Sequence, residues 1–184
     1  FKACILVLTV SLVSFFNLQA QNSNSESKDN LSKKEQRELA LSSDKELLME
    51  MAENRDLILE ATAVYGRHVY NAFDIGPNNF VLIDSTQFMI QTSSTIGPGQ
   101  NGLGGVTLRG KINSYEIRPG KGKRPVTIIA QVSTMGAGFA TVTIRLFDSK
   151  NSQATFSNNS TTITLSGPVK TKENSNVYKG MSIY

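Results

Sequence analysis

The sequence predicts a mainly β domain, an antiparallel β-sandwich or barrel of about eight strands with an N-terminal α-helix. Three observations predict it. From Leu57 onward, apolar and polar residues alternate with a period of two, the mark of antiparallel strands with one buried face and one wet face. The alternating segments are rich in Thr, Val, Ile and Phe and are separated by Gly, Pro, Asn, Asp and Ser, as strands and their turns are. No helical stretch lies between consecutive segments, which excludes βαβ crossovers and a parallel sheet.

The chain begins with FKACILVLTVSLVSFFNLQA (1–20). One Lys, an apolar stretch from Ala3 to Phe16 and a small residue at Ala20 form the layout of a secretory signal peptide. The apolar stretch is shorter than the roughly 20 residues that a membrane span needs, so no span is expected after cleavage. Residues 21–30, QNSNSESKDN, read as a flexible polar leader. Residues 31–56 form the helical segment. Ser32 with Glu35, and Ser43 with Glu46, are capping-box signals. Leu39, Leu47, Leu48 and Met51 share an apolar face. One helix and two helices broken at Ser42-Ser43 both fit.

The β-rich domain is expected over residues 57–184. LILEATAVY (57–65) places Leu57, Leu59, Ala61, Ala63 and Tyr65 on one face. NFVLID (79–84) and TQFMIQT (86–92) form a strand pair that turns at Asp84-Ser85. In VTLRGKINSYEI, Val106, Leu108 and Ile112 alternate with Thr107, Arg109 and Lys111. PVTIIAQVS (125–133), FATVTIRLF (139–147), QATFSN (153–158) and TTITLSG (161–167) complete the series. An outer-membrane barrel also alternates, but Arg109, Lys111 and Arg145 occupy the outward face and aromatic girdles are not evident.

Nineteen Lys and Arg against fifteen Asp and Glu give a net charge of +4. The basic residues are scattered apart from RPGKGKRP (118–125), whereas nucleic-acid binders concentrate them on one face. No nucleic-acid partner is expected. The single cysteine, Cys4, lies inside the signal segment. Past Ala20 the sequence therefore offers no disulfide, thiol nucleophile or thiolate metal site. At about 160 residues such a domain can be held by its core alone.

GPGQNGLGG (97–105) contains the spacing G-x-G-x-x-G. A dinucleotide site needs a helix after that turn, to point its amides at the pyrophosphate. Here a strand follows, so no nucleotide cofactor is expected, and the stretch reads as a β-connection. Gln100, Asn101, Gly102 and the nearby Arg109 are its weak candidates for ligand or partner contact. His68 is the sole histidine; a metal site wants several ligands and a triad wants an acid behind the His. RPGKGKRP lacks the phosphate-loop pattern and reads as a basic hairpin tip. Asn158 to Thr161 reads as a turn. The acids of the β zone are Glu60, Asp74, Asp84, Glu116, Asp148 and Glu173. They fall mostly at strand ends, not as a facing pair. No catalytic residue, metal or cofactor is expected.

Four stretches recur in order in a known set of proteins: NRDLILEA (54–61), NFV (79–81), NGLGGVTLRG (101–110) and SNVYKG (175–180). By these the chain resembles the exported bacterial proteins grouped as the domain-of-unknown-function family numbered 4251. The resemblance implies one exported β-rich domain and supplies no catalytic or binding residues.

The expected function is that of a non-enzymatic periplasmic or envelope protein, monomeric or weakly oligomeric, that binds an unknown protein or envelope ligand through its loops. The alternative is a carrier of small lipophilic molecules with a barrel cavity, where Phe80, Phe88, Phe139, Phe147 and Phe156 either fill the core or line the cavity. A hydrolase comes third.

Overall fold

The computed structural model describes residues 32–66, 69–73, 78–93 and 105–177. The chain divides into two units, Phe1–Ala40 and Leu41–Tyr184. The described residues of the first are the opening turns of helix α1 (Lys33–Asn54), which runs unbroken through Ser42-Ser43. The capping box forms as expected. The Ser32 amide donates to Glu35 Oε2 at 2.8 Å and the Glu35 amide to Ser32 Oγ at 3.3 Å. Hydrogen bonding to Ser32 holds the Glu35 carboxyl below its ordinary value. At the other end Arg55 takes a positive φ of 52° and its amide returns to the Ala52 carbonyl, a left-handed stop.

The buried face of α1 is Leu48, Met51 and Ala52, spaced i, i+3, i+4. Leu39 and Leu47, expected on that face, are 56% and 47% exposed; the stripe that packs is rotated by about one residue. Polar anchors account for the rotation. Asp44 accepts the Ser149 amide, Lys45 donates to the carbonyls of Gly122 and Arg124, and the Tyr115 hydroxyl donates to Ala52 O at 2.8 Å.

Eleven strands follow among the described residues. The first five are β1 (Asp56–Glu60), β2 (Ala63–Gly66), β3 (Val69–Phe73), β4 (Phe80–Asp84) and β5 (Gln87–Thr92). Next come β6 (Val106–Arg118), β7 (Val126–Thr134) and β8 (Gly138–Leu146). The last are β9 (Ser152–Ser157), β10 (Thr162–Gly167) and β11 (Val169–Lys170). They form one antiparallel sheet in the order β11-β1-β4-β5-β6-β7-β8-β9-β10-β2-β3. The expected eight become eleven because the first predicted strand is bent into β1 and β2, and because β3 and β11 are added.

The bends close the sheet. β1 and β2 belong to one run, residues 56–66, and β10 and β11 to another, residues 162–170. The runs lie side by side, with β1 paired to β11 and β2 to β10. Between these pairs Glu60 N–H donates to Pro168 O and Thr62 N–H to Ser166 O, both at 2.9 Å. The first run also pairs with β4 and the second with β9. The ladder thus returns to its start, and the sheet curls into a barrel whose corners are bent strands. At one corner the backbones touch: a Cβ on Gly167 would collide with the Glu60 carbonyl oxygen.

Among the described residues the interior is filled with side chains. Leu57, Leu59, Ile83, Phe88, Ile128, Ile144, Phe156 and Leu165 are each 0–1% exposed and join Leu48 and Met51 of α1 in one core. Phe88 and Phe156 stack at a centroid distance of 6.0 Å with an interplanar angle of 9°. The five phenylalanines divide. Phe88 and Phe156 fill the core, while Phe80 packs with Ile58, Leu82 and Met89 in a second cluster that Val177 covers. Phe139 and Phe147 are exposed at 80% and 54%. The tail that brings Val177 is fastened by Lys172, whose amide donates to Asp56 and whose Nζ pairs with Asp84 at 2.6 Å.

Two irregularities change which side chains face inward. Past the bend at Ala61-Thr62 the parity slips by one: Val64 points into the core and Tyr65 turns outward, where Ala63 and Tyr65 were expected inside. A bulge between Ile112 and Ser114 shifts the inward set of β6 from Leu108 and Ile112 to Tyr115 and Ile117. Thr107, expected on the polar face, is fully buried and donates to Gln91 Oε1 at 3.1 Å. Gln91 in turn donates to the Asn78 carbonyl. The β4–β5 hairpin turns at Ser85-Thr86, one residue later than expected, with a positive φ of 53° at Ser85.

Phe156→Ala should lower the unfolding free energy by about 3–5 kcal/mol, since it removes a stacked ring and leaves a cavity; urea denaturation measures it. Gly167→Ala should lower the melting temperature, because Glu60 O can yield only by opening the closing ladder. Burial pushes the Tyr115 phenol up to about 12, against the opposing charge of Arg55. The folded state therefore keeps a proton that the unfolded chain loses near pH 10. That contribution to stability is complete below pH 10 and is lost as pH rises towards 12. Alkaline melting curves of Tyr115→Phe should fall less steeply in this window than those of the parent, from a lower starting stability.

Candidate functional site

Strands β7 to β10 each keep one face for the core, so their alternate residues must meet water. Those outward residues are mostly hydroxyls and amides: Thr143, Thr155 and Thr164 in one cross-strand row, and Gln131, Thr141, Ser157 and Thr162 in the next. Neighbouring hydroxyls pair, Thr155 with Thr164 at 3.1 Å and Ser157 with Thr162 at 3.0 Å. The Thr141 hydroxyl donates to Gln131 Oε1. The first row ends at Tyr65 of β2, the cross-strand partner of Thr164. Its side chain is turned out by the slip at Ala61-Thr62 and is 39% exposed.

Tyr65 stands between two grooves. One, of about 470 Å³, is lined by Tyr65, Asn158, Asn159, Ser160 and Thr162. The other, of about 560 Å³, is lined by Thr62, Tyr65, Phe147, Asn151, Gln153 and Ser166. Each is bounded by a loop whose own polar residue folds it. In the β9–β10 loop Asn158 Oδ1 accepts the amides of Ser160 and Thr161, and Asn158 Nδ2 donates to Ala137 O. In the β8–β9 loop Asp148 Oδ1 accepts the amides of Lys150 and Asn151. These are Asx turns, and they agree with the turn expected at Asn158 to Thr161.

The grooves carry little charge. Neither is lined by an Asp or Glu among the described residues, and Lys150 is the one cation. Of the acids singled out above, Glu60, Asp84 and Glu116 are engaged elsewhere. Glu60 pairs with Lys170 at 2.6 Å and accepts from Ser175 Oγ. Asp84 pairs with Lys172, whose ammonium is held above its ordinary value chiefly by that hydrogen bond. Glu116 binds Arg118, and this hydrogen bond, with the Arg118 charge, holds the Glu116 carboxyl below its ordinary value. Among the described residues no three metal-binding side chains gather, and no helix is long and apolar enough to cross a membrane.

Of the candidate contact residues, Gln100, Asn101 and Gly102 lie outside the described residues, as do His68 and Asp74. Gly105 alone of the glycine loop is described, and a Cβ there would collide with Thr92 O. Arg109 is exposed on β6 opposite Met89, and its carbonyl accepts the Met135 amide. It lines a different groove, with Leu82, Gln87, Met89, Lys111 and Met135, and is not brought to Tyr65. RPGKGKRP forms the β6–β7 hairpin loop, whose backbone accepts Lys45. Sequence reasoning missed Tyr65 by placing it inside. The signal that could have found it is the Thr-x-Thr spacing of the later strands, which implies a broad polar face for an aromatic residue to stand on.

Comparison with known proteins agrees with the fold. A crystal structure, at 1.95 Å resolution, of a DUF4251 family protein from Bacteroides eggerthii DSM 20697 superposes with a TM-score of 0.54. It is 30% identical and covers 75% of this chain and 94% of its own. No curated protein matches the chain. The family model described as "Domain of unknown function (DUF4251)" matches residues 41–169. The match takes in α1 from Leu41 and every strand to the start of β11, and the chain belongs to the DUF4251 family.

Proposed function

We propose that this chain is an exported protein of the periplasm or cell envelope that binds a ligand or partner on its outer surface and catalyses no reaction. The observation that carries the reading is the filled interior. With Phe88 stacked on Phe156 and inward side chains such as Leu57, Ile128 and Ile144 fully buried, a ligand is offered the outside of the barrel. There the exposed Tyr65 and its two grooves are the concave surface that rigid strands and folded loops support. The layout of residues 1–20 supports export. The engagement of Glu60, Asp84 and Glu116 in ion pairs supports a binding role over a hydrolytic one.

Cell fractionation with N-terminal sequencing tests export: the protein should be recovered outside the cytoplasm with Gln21 as its first residue. Retention of the leading segment in a cytoplasmic protein would overturn it. Titration with a fluorescent fatty acid tests the outer site, and no saturable uptake is expected. Stoichiometric uptake that protects Phe156 contacts would restore the carrier with a cavity.

A further inference from the structure

We propose that the Tyr65 grooves bind an uncharged, polyhydroxylated chain, a neutral glycan. The inference rests on the outer-surface reading above and adds the chemistry of the ligand.

Four features point to that class. First, the lining is amide and hydroxyl: Asn151, Gln153, Asn158, Thr162 and Ser166 beside Tyr65. Such side chains both donate and accept, as sugar hydroxyls do. Second, the hydroxyl pairs Thr155–Thr164 and Ser157–Thr162 use one O–H and one lone pair each, leaving one O–H and several lone pairs for a ligand. Third, Tyr65 presents an aromatic ring that is 39% exposed with Phe147 at 54% across the second groove. A sugar's C–H face packs on such rings while its hydroxyls reach the rim, the use to which amphipathic aromatics are suited. Fourth, charge is nearly absent among the described lining residues. A polyanion would find only Lys150, and a polycation would find no carboxylate among the described lining residues.

The geometry also indicates an extended ligand. Tyr65 borders both grooves, so a chain crossing its ring occupies the two in succession. Along that path the alternate residues Thr162, Thr164 and Ser166 of β10 offer polar contacts about 6.6 Å apart. Both bounding loops are held by their own Asx turns, which limits the ordering that binding requires.

The test is affinity electrophoresis of the purified protein in gels containing dextran, a β-glucan, a galactomannan, an arabinoxylan or polygalacturonate. Amide shift mapping by NMR follows with oligosaccharides of any retarding polymer. At least one neutral polymer should retard the protein, with shifts centred on Tyr65, Gln153, Asn158 and Thr162. Tyr65→Ala should weaken binding at least tenfold at an unchanged melting temperature, and Lys111→Ala, in the separate groove of Arg109, should leave it within twofold. Thr164→Val keeps the β-branched shape and removes one hydroxyl; a severalfold loss is expected. Retardation by polygalacturonate alone, with shifts at Tyr65, would overturn the neutral glycan and leave the outer-surface reading standing. Absence of retardation by every polymer would overturn the glycan. Shifts confined to the barrel interior would overturn both.

Discussion

The pairing of residues 56–66 with residues 162–170 is the constraint on which the rest of the structure depends. A meander of β4 to β10 can curl, but its first and last strands expose unpaired backbone until something joins them. Here each joining run is bent, so one half serves the β4 side and the other half the β9 side. The bond from Thr62 to Ser166 spans 104 residues. Loop closure on that scale costs entropy before any non-local contact repays it, which makes such ladders late and cooperative in folding. Gly167 suits this junction because its missing Cβ lets the Glu60 backbone come into contact.

Closure decides what the interior can hold. The inward residues of the strands meet across a small section, and the aromatic stack of Phe88 and Phe156 takes up its middle. α1 adds Leu48 and Met51 to the same core. Nothing in this arrangement needs a disulfide or a metal, in keeping with a β-rich region that has no cysteine. Burial of branched and aromatic side chains is the main stabilising term, and polar groups that are buried with them, such as Asn79, Gln91 and Thr107, have hydrogen-bond partners.

Much of the architecture was legible in the sequence because period-two patterning and turn chemistry act locally. The capping box at Ser32 and Glu35, the basic hairpin at RPGKGKRP and the Asn158 turn formed where short-range rules placed them. What escaped was parity. Ala61, Ala63 and Val64 are all small enough for either face, so nothing local marked the slip that turns Tyr65 outward. Thr107 reads as a surface residue until Gln91 is beside it, a pairing that exists only once β5 and β6 are in register. Leu39 and Leu47 fit an apolar stripe as well as Ala52 does; the choice between them belongs to Asp44 and Lys45, which reach distant loops, and to Tyr115 of β6, which holds the end of the helix. The site was therefore less legible than the fold, since it depends on which residues a long-range ladder turns outward.

Structure and site share one origin at that slip. The bend at Ala61-Thr62 redirects the first run from the β4 side to the β10 side, which the barrel needs in order to close. A bend that absorbs one residue also reverses every side chain beyond it. Val64 is thereby delivered to the core, and Tyr65 is placed at the end of the Thr143, Thr155 and Thr164 row. An aromatic residue so placed is held on both sides: beneath it lies the closing ladder, and beside it are loops that Asn158 and Asp148 have already folded. Its orientation thus follows from global closure, while the polar groups around it follow from local turns. The backbone that carries this ring cannot move without opening the barrel.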